Sequence, residues 1–272
     1  GDVGRSNDAI MYPPQPLPAT DYLVVESTYG DRRHEEIDAE EAIADVINRT
    51  YKRGGIVLMP AFAVGRAQLV LHYLQRLRDQ QRIPSLPVYL NSPMAIRATS
   101  IFFSHHDLHK LTEDDCSRMD DMTIYVKTTE ESIALVEKKT PAIIISASGM
   151  ASGGRVLHHL KALVSDPRNS ILFLGYQAAG TRGDSLTKGA DHIKIHGQYC
   201  QVQAEIANLQ ALSSHGDYVE ISDWLKKMPG KPRKVFITHG ETCAADAMRR
   251  HLKDEFNWDV EVPEYLDIAL LD

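Results

Sequence analysis

Apolar residues recur along this chain in two rhythms that take turns. Tyr22–Glu26 is a short apolar-rich run that predicts a strand, and Glu35–Arg53 follows with Ile37, Ala42, Ile43, Val46, Ile47 and Tyr51 at helical spacing. Gly54-Gly55 stops that helix, and Ile56–Met59 predicts a short strand ending at Pro60. The alternation continues with a helix over Val64–Gln81, a strand over Pro87–Leu90, and helices over Ile96–Phe103 and Thr129–Lys139. A strand over Ala142–Ser146, a helix over Gly154–Val164 and a strand over Ser170–Leu174 come next. Strands alternating with helices predict an α/β fold, a mostly parallel sheet covered on both faces. The rhythm changes from Asp191 to Leu212, where apolar and polar residues roughly alternate as in antiparallel strands or a hairpin. A helix over Tyr218–Met228, a strand over Lys234–Thr238, a helix over Asp246–Phe256 and short strands within Val260–Leu271 complete the reading, with no internal repeat and no low-complexity linker.

This layout places the polar clusters just after strands, where open α/β sheets bind ligands. They are Glu26–Asp31, Ser146–Arg155, Gly175–Gly183 and Thr238–Glu241; Ser213–Asp217 stands directly before a helix. Ser146–Arg155 carries three Gly and three Ser, and Gly175–Gly183 repeats the theme with Gln177, Thr181 and Arg182. Glycines let a backbone approach an anion, helix starts offer free N–H groups, and an arginine can clamp a phosphate with two hydrogen bonds. Ser148, Gly149, Gly153, Arg155, Thr181 and Arg182 are therefore candidate phosphate contacts, although neither loop is a GxxxxGK[ST] or a GxGxxG motif. The two loops are expected side by side, because consecutive β-α units usually place their strands next to each other.

Charge sharpens this picture. The 272 residues hold 30 Lys and Arg against 37 Asp and Glu, a net charge of −7. Between Pro141 and Gln203, however, six basic residues face three aspartates and no glutamate, so this window carries +3 against −10 elsewhere. A basic, Gly-rich window in an acidic protein suits a polyanion. Length and 43% hydrophobic content allow a large core and exclude wholesale disorder. No apolar run approaches the roughly 20 residues of a membrane span, so no membrane partner is expected. Cys116, Cys200 and Cys243 are odd in number and far apart, which argues against a disulfide framework and for a reducing, cytoplasmic setting. The start at Gly1, without a Met or a signal-like stretch, reads as a piece of a longer protein.

Of the 12 histidines, His158 and His159 on a helix and His105-His106 at a helix end read as solvated or surface residues. His215 and His239 differ, each lying in a short polar loop beside a glycine and an acid, His215-Gly-Asp217 and His239-Gly-Glu241. Val25-Glu26-Ser-Thr-Tyr-Gly30, Pro60-Ala-Phe-Ala-Val-Gly-Arg66, Ser148-Gly-Met150 with Gly153, Ser214-His215-Gly-Asp217 and Thr238-His239-Gly-Glu241 occur in that order. Together they resemble the metallo-β-lactamase nucleases of the β-CASP family over essentially the whole chain.

The resemblance implies a two-zinc αββα hydrolase fold interrupted by an inserted α/β domain that clamps RNA. It assigns 1–30 to a remnant of the hydrolase domain, 31–190 to the β-CASP domain and 191–272 to the return of the hydrolase domain. Gly1-Asp2 matches the loop whose Asp bridges both zincs, and His239 the histidine on the second zinc. Glu26 and His215 match an acid–histidine pair that assists protonation of the leaving group. The family's HxHxDH cluster does not occur in these residues, so the chain alone is expected to bind zinc weakly and to show no nuclease activity. The implied activity is hydrolysis of RNA phosphodiester bonds, endonucleolytic, 5′-exonucleolytic or both, with a homodimer admitted. A non-catalytic RNA-binding scaffold subunit is the alternative. It usually lacks metal-site residues, whereas Asp2, Glu26, His215 and His239 all match, and an HxHxDH upstream would decide the matter. A small-molecule hydrolase of the wider superfamily would not need the two anion-like loops, and a Rossmann enzyme would need the absent GxGxxG.

Overall fold

The structure, a computed structural model, describes residues 2–137 and 139–272; Gly1 of the expected Gly1-Asp2 loop and Lys138 of the expected helix over Thr129–Lys139 lie outside the described residues. Along the chain run β1 (Tyr22–Glu26), α1 (Ala39–Lys52), β2 (Val57–Pro60), α2 (Arg66–Asp79), β3 (Val88–Leu90), α3 (Pro93–Ser104), α4 (Glu113–Met122) and β4 (Thr123–Tyr125). Next come α5 (Thr129–Glu137), β5 (Ile143–Ser146), α6 (Val156–Leu163), β6 (Ser170–Phe173), α7 (Arg182–Thr187), β7 (His192–Ile195) and β8 (Gln198–Gln201). β9 (Glu205–Asn208), α8 (Tyr218–Leu225), β10 (Lys234–Thr238), α9 (Thr242–Phe256) and β11 (Val260–Glu261) follow. No described helix is long and apolar enough to cross a membrane.

The chain forms two compact units. One is continuous, Glu36–Ser213; the other joins the residues up to Glu35 with Ser214–Asp272. The continuous unit holds a six-stranded sheet in the order β4-β3-β5-β2-β6-β9, parallel throughout. Its central strands are buried at every position, which is why β2, β5 and β6 read as continuous apolar runs and not as alternating ones. On one face Leu58, Ile144, Ile171 and Phe173 meet Leu157, Leu160 and Leu163 of α6. α1 buries Ile43, Val46 and Ile47 and packs with α2. α1 starts later than its apolar spacing suggested, because Asp38 caps it by accepting the N–H groups of Glu40 and Glu41, and Ile37 stays exposed.

By packing, residues 191–213, assigned by resemblance to the returning hydrolase domain, group with the continuous unit. β7 and β8 form the antiparallel hairpin that the alternation predicted, but β9 joins β6 as a parallel edge strand. Its backbone completes the six-stranded ladder, and that pairing holds the segment there.

In the discontinuous unit, β1, β10 and β11 form a parallel sheet with β10 in the centre. Leu23, Val25, Val235 and Ile237 pack against Ile221 and Leu225 of α8 and Ala245, Met248 and Leu252 of α9. The expected short strands across Val260–Leu271 reduce to Val260–Glu261. Those residues pair with the edge of β10, and Pro263, which has no N–H, ends the ladder.

Candidate active site

All four residues expected to act on metal and proton lie in the discontinuous unit. Parallel pairing sets Glu26 opposite Thr238, so the ends of β1 and β10 present Glu26 and His239 on neighbouring strands. The junction is tightly stitched. Ser27 Oγ donates to the Thr238 carbonyl (2.8 Å), and Thr28 Oγ1 donates to the His239 carbonyl (3.1 Å) and lies 3.2 Å from its Nδ1. Gly240 is required here, since a Cβ would stand 2.3 Å from Ser27 Oγ and 2.6 Å from the Ser27 carbonyl oxygen. His239 itself adopts a left-handed backbone (φ 52°), uncommon outside glycine, which turns the chain as it leaves β10.

Glu26 is fully buried and both its oxygens are engaged. Oε1 accepts the Val3 N–H (2.8 Å), and Oε2 lies 2.6 Å from His215 Nδ1. Burial opposes ionisation of this carboxyl, but the hydrogen bond and charge of His215, with help from Val3 and Thr28, outweigh it and hold the acid below the usual carboxylate range. His215 is carried by the loop into α8. Asp217 caps that helix by accepting from Val219 and Glu220, and its other oxygen accepts the His34 N–H (2.8 Å). His34 Nε2 donates to the His215 carbonyl (2.8 Å), and burial pushes the His34 pKa down, which keeps the ring neutral. Arg5 meets Glu220 of the same cap at 3.0 Å.

Asp2 and His239 are open by comparison, 62% and 56% exposed at the side chain, with Asp2 Oδ1 3.6 Å from His239 Nδ1. The His215 and His239 rings stand 5.1 Å apart, and donor atoms of Asp2, Glu26, His215 and His239 all lie within 4.8 Å of one another. A carboxylate oxygen beside an imidazole nitrogen suits zinc. With Glu26 bound to Val3 and His215, Asp2 and His239 fit as part of a donor set, short of the three or four ligands of a tight site. Thr28, His34, Arg5 and Glu220 had escaped sequence reasoning. Asp217 carried a readable signal, an acid just ahead of a helical pattern; His34 carried none.

A second donor cluster among the described residues, His106, His109 and Cys116, lies in the continuous unit. Its chemistry is that of packing. His109 donates to the Phe102 carbonyl and accepts the Leu111 N–H, and burial pushes the Cys116 thiol up to about 11.

The two Gly-rich loops of the continuous unit do meet, though not for the expected reason. β5 and β6 are not neighbours, because β2 runs between them. The loops bridge across its end, with the Gly183 N–H on the Met150 carbonyl (3.1 Å) and Gln177 Nε2 on the Gly149 carbonyl (3.3 Å). The arginines, however, are bound inward. Arg155 donates to Asn91 Oδ1 and to the carbonyls of Val126 and Lys127 at 2.9–3.0 Å, and Arg182 to the carbonyls of Lys194 and Ser152. Thr181 is the cap of α7: it accepts the Asp184 N–H and donates to the Ala178 carbonyl. These bonds occupy part of each guanidinium's donors and direct both arginines toward the protein's own acceptors. Ser148 accepts the Ser152 N–H, and Gly153 has open space where a side chain would be. His158 is exposed as expected, but His159 is buried, 1% exposed, on the inner face of α6.

An acid–histidine pair and two open donors, Asp2 and His239, thus gather at the C-terminal edge of one sheet, and a parallel α/β unit is spliced into the chain between Glu26 and His215. The Beta-Casp domain model matches residues 67–186, and the model described as a Zn-dependent metallo-hydrolase RNA specificity domain matches residues 199–263. The chain belongs to the β-CASP family of metallo-β-lactamase-type nucleases. It is 36% identical over 249 residues to a ribonuclease of Thermus thermophilus, covering 89% of this chain and 56% of that protein. It is 32% identical to an RNase J-like protein of Methanocaldococcus jannaschii, with coverage of 89% and 57%. It is 33% identical to the transcription termination factor FttA of Pyrococcus abyssi, with coverage of 94% and 41%. The chain thus spans about half the length of the curated relatives it matches.

Proposed function

We propose that this chain is part of a metal-dependent ribonuclease that hydrolyses RNA phosphodiester bonds, and that Glu26 and His215 handle the proton of the leaving group. The 2.6 Å contact between His215 Nδ1 and a buried, ionised Glu26 carries this reading. A carboxylate on Nδ1 fixes the ring's orientation and favours the imidazolium, so Nε2 is the nitrogen that would deliver a proton to the departing oxygen. The Asp217 cap and the His34 bond to the His215 carbonyl hold the loop in place. Asp2 and His239 would supply two of the ligands for zinc, with two ions in the complete protein; bound there, zinc would activate water and neutralise charge on the phosphate oxygens. The relatives named ribonuclease and RNase J-like support RNA as the substrate.

The four matching residues favour an enzyme over a scaffold. In the complete protein, His215→Ala should lower the single-turnover cleavage rate by about 100-fold or more while changing RNA affinity less than about threefold. Equal losses in rate and affinity would make His215 a substrate contact instead of a proton donor.

A further inference from the structure

The motif Pro60-Ala-Phe-Ala-Val-Gly-Arg66 lies wholly in the continuous unit. It forms the turn from β2 into α2 and is pinned on both sides of Phe62. The Ala61 N–H binds the Ser146 carbonyl (3.0 Å), and the Ala67 N–H binds the Phe62 carbonyl (3.1 Å). Phe62 nevertheless stays 46% exposed, with Val64 beside it in sequence 72% exposed. The inner side of the ring rests on Gly149, where a Cβ would stand 2.8 and 2.9 Å from ring atoms Cδ2 and Cε2. Gly149 therefore serves as the seat of an aromatic ring.

The topology gives this ring a distinctive address. β2 and β5 are neighbours, but β2 continues through α2 to β3, beyond β5, whereas β5 continues through α6 to β6, beyond β2. Right-handed crossovers running in opposite directions leave a sheet by opposite faces. Phe62 and Gly149 follow the C-terminal ends of these two strands, the switch point where open α/β sheets take their ligands, and the ring bridges from one to the other.

We infer that Phe62 is a stacking platform for an unpaired base of the RNA, an assignment that rests on the ribonuclease reading above. A nucleobase presents a flat π face to the open side of the ring while its phosphates stay in water, and no base-specific hydrogen bond is needed. The ring is already seated by Gly149 and the pinned turn, so little ordering accompanies binding. Arg155 and Arg182, in the Gly-rich loops that meet at Gly149 and Met150, keep their positive charge while donating to neutral carbonyls, and this favours a polyanionic strand over an apolar peptide as the occupant.

The test uses the protein with a short labelled single-stranded oligoribonucleotide and with the same sugar–phosphate chain made abasic throughout. Phe62→Ala should weaken binding of the intact strand about fivefold to a hundredfold, leave the abasic strand unchanged, and be rescued by Phe62→Trp. Gly149→Ala, which unseats the ring, should copy Phe62→Ala. Equal affinity of wild type and Phe62→Ala for the intact strand would overturn the platform while leaving the ribonuclease reading standing. Equal losses on both strands would also overturn it, since the ring would then be shaping the loop. A wild-type protein that binds neither strand would overturn both readings. Far-ultraviolet circular dichroism of each variant confirms its fold, and the Trp variant keeps the outcome decisive should the Ala variant unfold.

Discussion

Acid should destabilise this protein through one buried imidazole. His159 Nε2 accepts from Asn91 Nδ2 at 2.6 Å, and Asn91 is in turn tied to Ser132 and to the Arg155 guanidinium. A proton on this ring would enter a buried site beside an amide donor and a cation, and burial, with His158 and Arg155, pushes its pKa from 6.5 down to about 4. Above 6.5 the ring is neutral in both folded and unfolded chains. As pH falls below that value the unfolded chain takes up a proton that the folded chain refuses until about 4. The stabilisation is therefore complete above 6.5 and drains as pH falls toward 4. At about 1.4 kcal/mol per pH unit, a window of roughly two and a half units is worth about 3 kcal/mol. Urea unfolding followed by far-ultraviolet circular dichroism should show wild type losing about 3 kcal/mol more than His159→Gln between about pH 7 and pH 4. The variant removes the imidazole and leaves every carboxylate in place, so acid effects common to both proteins cancel. Parallel losses in the two proteins would refute the reasoning.

Two further outcomes follow from the geometry. Arg155→Ala should cost about 2 to 4 kcal/mol in urea unfolding, because it orphans Asn91 Oδ1 and the Val126 carbonyl. Its RNA-binding salt slope should match wild type, and a slope reduced by about one counterion would restore Arg155 as a phosphate contact. Gly240→Ala should drive Ser27 from the end of β10 and shift His239. Zinc affinity of the complete protein, measured by chelator competition, should fall about 10- to 100-fold, and an unchanged affinity would remove His239 from the ligand set.

Much of the fold was legible because its central strands and most helices carry their own pattern. Ile143–Ser146 is apolar at nearly every position because both faces are covered, and α1 repeats its buried residues every three or four. α4 was not legible, since only Cys116, Met119 and Met122 mark its buried side amid five acids. β9 was misplaced because Glu205-Ile-Ala-Asn208 is half-buried throughout, and nothing local says that its partner is β6 and not β8. The pairing of Glu26 with His215 spans 189 positions, a distance no periodicity encodes; only the order of motifs pointed to it. The inward bonds of Arg155 and Arg182 were illegible for a different reason. A charge count places positive residues in a window but does not tell which guanidinium groups find carbonyls inside the protein.

The pairing of β1 with β10 has a consequence for synthesis. Glu26 leaves the ribosome about 200 residues before Lys234, and at roughly 5–20 residues per second the first strand waits some ten to forty seconds for its partner. Tyr22–Glu26 lacks its β10 partner during that time, while the continuous unit, whose strands all precede Ser213, already has its own strands in hand. β1 thus waits for β10 while the whole continuous unit is made between them, and slower translation of that stretch lengthens the wait and should raise the aggregated fraction of newly made chains.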